Sequence, residues 1–321
     1  MKKFISLMVL GLAFALLFTA TFPAGAAKED LSGTISMSGA WALYPMAVKW
    51  GEEFQKVHPG VKIDLSAGGA GKGMADALAG IADIGMVSRD VYPEEIAKGA
   101  WYVAVTKDAV VPVVNEGNPY LKDLMGKGVK KDTLNGIWIT EAVKTWGDLV
   151  GKPGQLDPIS VYTRSDACGA AEIWAKFFGK KQEDLKGTGV YGDPGIAQAV
   201  QKDIMGIGYN NINFAYDVTT RKPNPGLKVL PIDVNGNGKL DAEENFYGSL
   251  DQIDKAIAEG KYPSPPAREL YLVSQGKPQK KLVSEFIKWI LTDGQKFVPE
   301  SGYIKLTDAK LQAELKKLEG K

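Results

Sequence analysis

Short apolar segments and amphipathic segments alternate along the first third of the chain. Apolar residues alternate with polar ones or run in short blocks at 33–37, 61–65 and 82–87, and they recur at helical spacing at 43–57 and 74–79. A period of two predicts strands and a period near 3.6 predicts helices. The strand–turn–helix order predicts an α/β fold with a largely parallel sheet.

Two later apolar runs, 109–114 and 269–274, are predicted to cross between two lobes. A chain of 321 residues exceeds one ordinary hydrophobic core. We therefore predict a first lobe of residues 27–112 plus 270–321 and a second lobe of residues 113–269. The ligand cleft is expected between the two lobes.

The first residues have the features of a secretory signal peptide. Lys2 and Lys3 precede an apolar run at 4–18, and the sequence AGA at 24–26 is typical of a cleavage site. The run is too short for a typical membrane anchor. Because no cysteine lies near the cleavage site, we expect residues 1–26 to be removed and the mature protein to be free in the periplasm, not a lipoprotein.

Composition argues against several classes of function. The 39 basic and 38 acidic residues give a formal net charge of +1, so no strong field attracts nucleic acid or membrane. One cysteine excludes an intramolecular disulfide, and the single histidine leaves little material for a zinc site or a His-dependent triad. We expect a monomer that binds no nucleic acid and is not an enzyme.

The turn that begins at Arg164 concentrates the candidate chemistry. Arg164 carries a permanent charge, and Asp166 can orient its guanidinium. Cys168, Gly169 and Ala170 follow and open a predicted helix, whose unpaired N–H groups favour an anion. Cys168 has two interpretations: a small buried replacement for serine, or a reactive thiol whose pKa is lowered by the helix start and by Arg164.

A second small-residue turn lies at 68–73. It is not a nucleotide-binding P-loop, because Ser66 stands where that motif has its first glycine and Gly73 where it has Ser or Thr. The turn either exposes backbone N–H groups to a ligand or is a tight strand-to-helix turn without one.

Five segments resemble the periplasmic phosphate-binding proteins of ABC transporters. They are 82–89 (ADIGMVSR, similar to D-I-G-x-x-S-R), 137–149, 164–170 (RSDACGA, similar to R-x-D-x-S-G-T), 262–271 and 286–303. The resemblance therefore covers nearly the whole mature chain.

This resemblance implies a type II periplasmic binding protein, with two lobes that close around phosphate or a related small anion. It also implies a partner, an ABC transporter permease in the inner membrane. Arg164 would clamp the anion, with Asp166 orienting it. The ligand-facing residues carried over by position are Ser38, Gly39, Ala40, Trp41, Ala42, Gly69, Ala70, Gly71, Ser88, Arg89, Arg164, Asp166, Cys168, Gly169 and Ala170.

The chain lacks several hydroxyl groups that the family places at the ligand. Cys168 replaces Ser, Ala170 replaces Thr, and a thiol is a poorer donor than a hydroxyl. Losing three or four hydrogen bonds of about 0.5–1.5 kcal/mol each would weaken oxyanion binding by roughly a hundredfold to several-thousandfold. A ligand larger or softer than phosphate is therefore an open alternative.

Two further functions stay open alongside the importer. One is a sensory receptor of the same fold for a ligand that does not depend on hydroxyl donors. The other is a secreted thiol enzyme, which the absence of a histidine partner for Cys168 disfavours. In either receptor, we expect closure to bend the chain at 110–114 and 271–273.

Residues 233–244 (DVNGNGKLDAEE) match the twelve-residue calcium loop at its diagnostic positions. The predicted ligands are Asp233, Asn235, Asn237, Lys239 through its carbonyl, Asp241 and Glu244. A strand is expected before the loop and a helix near 250–258 after it, so we predict an isolated structural Ca²⁺ site instead of a paired EF-hand. The alternative is an acidic Asn-Gly turn without metal.

Overall fold

The computed structural model describes residues 31–320, so the predicted signal peptide at 1–26 lies outside the described residues. The strands are β1 Ser32–Gly39, β2 Gly60–Ala67, β3 Ile84–Val87, β4 Ala100–Asn115, β5 Val129–Lys130, β6 Ser160–Arg164, β7 Thr188–Val190, β8 Gly206–Asn211, β9 Leu227–Val229, β10 Ile232–Asp233 and β11 Ala267–Gln275. The helices are α1 Tyr44–Val57, α2 Ala70–Leu78, α3 Pro93–Ala97, α4 Leu121–Lys127, α5 Lys131–Trp138, α6 Trp146–Val150, α7 Gly169–Phe177, α8 Gly192–Lys202, α9 Ile212–Ala215, α10 Leu250–Ala258, α11 Lys281–Leu291 and α12 Asp308–Glu319.

The main sheet is mixed, with the order β2-β1-β3-β11-β4-β8-β6-β7 and with β9 paired to β4. Strands β1, β2 and β3 are parallel to one another, as are β6, β7 and β8. The central strands are antiparallel, because β4 runs out across the sheet and β11 returns beside it. The prediction of an α/β fold is confirmed, whereas a largely parallel sheet describes only its two ends.

Two hydrophobic cores lie on the two ends of this sheet. The first core draws its buried residues from 35–105 and 270–318. The second core draws them from 109–267, together with Ile304. This division supports two lobes. The buried residues change core between Val105 and Ala109, and the lobe bounds at residues 112 and 270 stay a prediction.

The crossing between the cores therefore lies earlier than the hinge expected at 110–114 and 271–273. On β4 it falls between Val105 and Ala109, and on β11 between Ala267 and Leu270. Residues 110–114 also pair with β8, and residues 271–273 also pair with β3, whereas at the crossing β4 and β11 pair with each other, and only the bridge from Lys107 to Ile304 lies beside them among the described residues.

Most predicted elements are present with shifted ends. Helix α2 begins at Ala70, four residues before the predicted start, because Gly69 has a φ of 92° and ends the extended segment there. The apolar run 109–114 is the end of the longer strand β4. Helix α5 directly follows the two-residue strand β5, and an isolated bridge from Thr145 to Pro158 lies at the start of α6.

Within residues 31–320, none of the helices combines the length and the apolar character needed to cross a membrane.

Candidate functional site

The Arg164 turn, residues 164–168, joins β6 to α7 at an end of parallel strands. Cys168 is the N-cap of α7, and its sulfur accepts a hydrogen bond from the Ala171 N–H at 3.4 Å. Gln182 braces the turn from outside, since its amide accepts from Cys168 N at 3.2 Å and donates to the Asp166 carbonyl at 2.7 Å. Sequence reasoning missed Gln182, because it lies fourteen residues beyond the turn that it holds.

Arg164 is enclosed by two carboxylates, and its side chain is only 1% exposed. Asp166 accepts from its Nε at 2.8 Å and its Nη2 at 2.6 Å, a bidentate pair that fixes the plane of the guanidinium. Asp193 accepts from Nη1 at 2.5 Å. Burial opposes the charge on Arg164, but Asp193 and Asp166 outweigh it and raise the pKa of the guanidinium above its usual range.

Asp193 was not among the predicted site residues. It lies in the first turn of α8, a common place for Asp at a helix start, and nothing in the sequence pairs it with an arginine 29 residues earlier. Only the packing of α8 beside β6 brings the two together. The three charges sum to −1, so Arg164 contributes little free positive charge to a ligand.

A buried polar network continues from Asp193 to the crossing strands. Asn211, at the end of β8, donates its amide to Asp193 at 2.5 Å and accepts a hydrogen bond from Arg268 on β11. Arg268 pairs with Asp108 on β4, with Nε to Oδ1 at 2.8 Å. Burial raises the pKa of Asp108, although Arg268 acts against this. The ion pair lies where both strands pass from one core to the other.

The start of α7 offers unpaired donors. Within the described chain, the N–H groups of Gly169 and Ala170 have no hydrogen-bond partner. Ser88, at the end of β3, lies directly opposite: a Cβ built on Gly169 would lie 2.1 Å from its carbonyl oxygen and 2.3 Å from its hydroxyl. Ser88 is 2% exposed, and its hydroxyl has no hydrogen-bond partner within residues 31–320. We call this group of two N–H donors and one hydroxyl the inner site.

The glycine turn, residues 68–71, also meets the Arg164 turn. A Cβ on Gly69 would lie 2.5 Å from the Ala167 carbonyl, and Gly71 N donates to the same carbonyl at 3.2 Å. The N–H groups of Gly68 and Gly69 both donate to the Gly39 carbonyl, at 2.9 and 3.1 Å. Most of this turn's donors are therefore paired with protein, and its glycines allow the two cores to approach closely.

The first turn, residues 38–43, is mostly directed away from the inner site. The Ser38 hydroxyl donates to Asp76 at 2.5 Å and accepts from Lys72 at 2.8 Å, so it is not free for a ligand. Ala40 and Ala42 are buried in the first core. Trp41 is the exception, because its ring reaches the second core and lies 3.2 Å from a Cβ built on Gly192, next to Asp193.

Arg89 forms ion pairs on both sides of the cleft, so its guanidinium is not free to bind a ligand. It pairs with Glu95 at 2.6 Å on its own side and with Glu172 of α7 at 3.1 Å on the other. Its guanidinium also lies 4.5 Å from the centre of the Tyr92 ring. A second ion pair, Lys176 with Asp90 at 2.5 Å, crosses at the same place.

Cys168 is buried, and burial raises the pKa of its thiol to about 12. Arg164 acts in the opposite direction but does not compensate for the lost hydration. In this conformation burial therefore opposes a reactive thiolate, and the interpretation as a small capping residue agrees with the hydrogen bond from Ala171. His58 packs on Phe54 of the first core, with ring centroids 4.6 Å apart. Cys168 belongs to the second core, so this histidine is not a partner for its thiol.

The predicted calcium loop follows β10 and precedes α10, as expected. The buried carboxylate of Asp233 accepts from the N–H groups of Gly236, Asn237 and Gly238 at 2.8, 3.2 and 2.7 Å. Glu244 accepts from Val234 N at 2.9 Å.

The remaining predicted calcium ligands bond to one another. Asn235 and Asn237 donate their side-chain amides to Asp241 at 2.8 and 2.7 Å. Lys239 donates its backbone N–H to the amide oxygen of Asn237 at 2.8 Å. Over residues 31–320, no three His, Cys, Asp or Glu side chains are arranged to hold a metal ion.

Residues 24–294, more than half of the chain, match the family model described as the PBP superfamily domain. The chain belongs to the PBP superfamily. The two cores, the two crossing strands and the cleft between them are the features of its two-lobed periplasmic binding protein fold.

Curated relatives match over nearly the full length. A phosphate-binding protein PstS of Staphylococcus haemolyticus is 28% identical over 296 residues, covering 90% of this chain and 86% of the relative. A PstS of Staphylococcus aureus is 26% identical over 298 residues, covering 91% and 84%.

Solved structures agree on the fold. A phosphate ABC transporter substrate-binding protein of Clostridium perfringens, with bound phosphate, has a TM-score of 0.69 and 22% identity and covers 86% of this chain and 100% of its own. An ABC-type phosphate transport receptor of Vibrio cholerae has a TM-score of 0.60 and 18% identity, covering 85% and 100%.

Proposed function

We propose that this chain is the extracytoplasmic solute-binding protein of an ABC importer and that it binds phosphate or a related small oxyanion between its lobes. The relatives' names support the transport role, since they match this chain along nearly all of its length. The observation that carries the ligand class is the inner site, where the N–H groups of Gly169 and Ala170 and the adjacent buried hydroxyl of Ser88 have no hydrogen-bond partner within residues 31–320.

Closure follows from the placement of these donors. Gly169 and Ala170 belong to the second core, whereas Ser88 follows a strand of the first core. An oxyanion can bind all three donors only when the cores are in contact, so its binding shifts the population toward the closed form. Arg164 stabilises the turn and the local charge from behind, instead of clamping the anion with free N–H groups.

Isothermal titration of the mature protein with inorganic phosphate tests the ligand class. We expect saturable one-to-one binding that Ser88→Ala weakens about 2- to 10-fold, the effect of one neutral hydrogen bond of about 0.5–1.5 kcal/mol. Ser301→Ala is the matched control, because it lies in the first core's C-terminal segment, and it should bind as the parent does. Absence of binding for phosphate, its monoesters and other tetrahedral oxyanions would contradict the proposed ligand class.

We further propose a mature, non-lipidated periplasmic monomer that hands its ligand to a membrane permease. N-terminal sequencing of the exported protein should begin near Ala27, and size-exclusion chromatography with light scattering should give the mass of one chain. Phosphate uptake in cells lacking the gene separates transport from sensing: unchanged uptake with an altered transcriptional response would favour the sensory receptor.

We also propose that residues 233–244 bind Ca²⁺. The support is the set of oxygen donors, Asp233, Asn235, Asn237, Asp241 and Glu244, which Ca²⁺ prefers, on a loop already folded around the Asp233 carboxylate. A cation would engage the carboxylate and amide oxygens of the loop.

Addition of Ca²⁺ to chelator-treated protein should raise the melting temperature. Glu244→Gln should remove this effect, and the adjacent Glu243→Gln should retain it. An unchanged melting temperature in the parent protein would identify an acidic turn without metal.

A further inference from the structure

A chamber of about 530 Å³ lies between the two cores beside the inner site, since Arg89, which follows Ser88, and Cys168, which precedes Gly169, both line it. Gly71, Ala167 and Cys168 line it, and they are the residues where the glycine turn meets the start of α7. A tetrahedral oxyanion fills only about two or three water volumes, on the order of 60–90 Å³. Pockets of roughly 300–1,000 Å³ are the size that holds organic ligands. The chamber therefore has room for an organic group attached to an oxyanion that is bound at the inner site.

The number of donors at the inner site points in the same direction. Inorganic phosphate presents four oxygens that need partners in a closed cleft, whereas a phosphate monoester or phosphonate presents three terminal oxygens. The inner site offers three donors, the N–H groups of Gly169 and Ala170 and the hydroxyl of Ser88. Cys168 and Ala170 carry a thiol and a methyl group where the turn that they resemble has Ser and Thr, so neither side chain adds a hydroxyl donor for a fourth oxygen.

Both cores contribute to the walls of the chamber. Arg89, Tyr92 and Glu94 line one side, and Lys176 and Gln182 line the other. The organic part of a ligand in the chamber would contact residues of both cores, and it could do so only in the closed form. These contacts would therefore add to the shift toward the closed form that the head group produces.

The charged side chains that line the chamber favour a ligand whose organic part is polar. The lining includes four cationic and three carboxylate side chains. Arg89 and Lys176 are paired with carboxylates, but Lys180 and Lys181 form no ion pair within the described part of the chain. Two unpaired cations at the wall suit a ligand that carries hydroxyl or carboxylate groups beyond its head.

We propose that the cleft takes a phosphate monoester or phosphonate with a small polar body, its head at the inner site and its body in the chamber. This inference rests on the proposed function, because it uses the same inner site for the head group.

Isothermal titration with inorganic phosphate and with sn-glycerol 3-phosphate, with glycerol as the blank, tests this inference. We expect glycerol 3-phosphate to bind at least tenfold more tightly than phosphate. Glu94→Trp should place an indole in the chamber, weaken glycerol 3-phosphate at least tenfold, and change phosphate affinity less than twofold. Glu52→Trp, at an exposed position of α1, is the matched control and should change neither affinity.

The outcomes separate this inference from the proposed function. Tighter binding of phosphate than of the ester, or a Glu94→Trp variant that binds both as the parent does, would overturn the chamber's role and leave the importer intact. Equal weakening of both ligands by Glu94→Trp would also overturn it, since the substitution would then act on closure and not on the chamber. Failure of both ligands to bind would overturn the proposed function together with it.

Discussion

The two faces of the cleft are built from similar strand–turn–helix units, but they use their backbone donors differently. On the first-core face, Gly68 and Gly69 donate to the Gly39 carbonyl, and the Ser38 hydroxyl is held by Asp76. On the second-core face, the N–H groups of Gly169 and Ala170 have no partner in the described part of the chain, and Arg164 of the same face is paired with carboxylates. The first-core face therefore keeps the Ser88 hydroxyl for a ligand but pairs these other donors with protein, whereas the second-core face keeps two backbone donors unpaired.

This difference assigns separate tasks to the two faces. Paired donors make the first-core turns fixed surfaces, and their glycines let the Arg164 turn approach to backbone contact. Unpaired donors at α7 gain most from an anion, because an unsatisfied buried N–H costs about 1–3 kcal/mol. The second-core face should therefore determine affinity, and the first-core face should determine how far the cleft closes.

The largest expected effect is that of Arg164→Ala. It leaves Asp166 and Asp193 buried without their counter-charge, and breaking a buried pair in this way costs about 3–5 kcal/mol. Urea unfolding at pH 7 should show this loss, and ligand binding should disappear. The triple variant Arg164→Met, Asp166→Asn, Asp193→Asn should recover most of the stability without recovering binding. A loss below about 1 kcal/mol in the single variant would mean that the second-core face does not depend on this charge cluster.

The next effect is on closure. Gly169→Ala adds a Cβ that would meet the Ser88 carbonyl at 2.1 Å, so the two faces could no longer touch. We expect ligand affinity to fall at least tenfold, about 1.4 kcal/mol, and small-angle scattering with ligand to show a more open particle. Gly126→Ala, in α4 with no atom within 4 Å of the new methyl group, should bind and close as the parent does. Normal closure of Gly169→Ala would contradict the close approach.

Cys168→Ser should have a smaller, favourable effect. Serine caps helices better than a thiol, so we expect a gain of about 0.5–1 kcal/mol in unfolding free energy and a several-fold gain in phosphate affinity. A decrease in both the unfolding free energy and the phosphate affinity would show that the packing of the sulfur matters more than its weakness as a helix cap.

The native thiol provides a pH-dependent test of the same face. Its folded pKa, about 12, is raised above the ordinary 9.0, so its contribution to stability is present below pH 9.0 and is lost as pH rises toward 12. Alkylation of the native protein should therefore show no rate plateau near pH 9, whereas the urea-unfolded protein should show one.

The smallest effect concerns the rim of the cleft. Lys176 and Asp90 form an ion pair across the cleft at 2.5 Å, with side chains 52% and 57% exposed. Such exposed pairs contribute about 0.2–1 kcal/mol and weaken with salt. Asp90→Asn should lower ligand affinity less than fivefold, and the difference should vanish at 1 M salt. Asp308→Asn, which breaks the exposed pair with Lys305 inside one lobe, should leave affinity unchanged at any salt concentration.

Local features of the fold were predictable because residues close together in the sequence determine them. Helix α10 has the bounds expected for it, and the Arg164–Asp166 pair, two residues apart, forms as its spacing indicated. The N-terminal ends of α2 and α7 follow small-residue turns that the sequence marks clearly.

The donors that a ligand can use were not predictable in the same way. Ser38 and Ser88 both carry a hydroxyl near a strand end, yet Ser38 bonds to Asp76 and Lys72, whereas Ser88 has no side-chain partner among residues 31–320. Cys168 follows the same pattern, since its position at a helix start predicted a lowered pKa and its burial raises it. Each outcome depends on neighbours that arrive from other parts of the chain.

The sequence by itself determined the α/β order, the small-residue turns and the Arg164–Asp166 pair, because each is set by residues within a few positions of one another. The tertiary structure decided that Asp193 neutralises Arg164, that Ser88 faces α7, and that a chamber of about 530 Å³ lies beside them. These depend on how two cores meet across the crossing strands. The burial of each group and the balance of charge around it depend on residues that are far apart in the sequence, so a local sequence pattern cannot predict them.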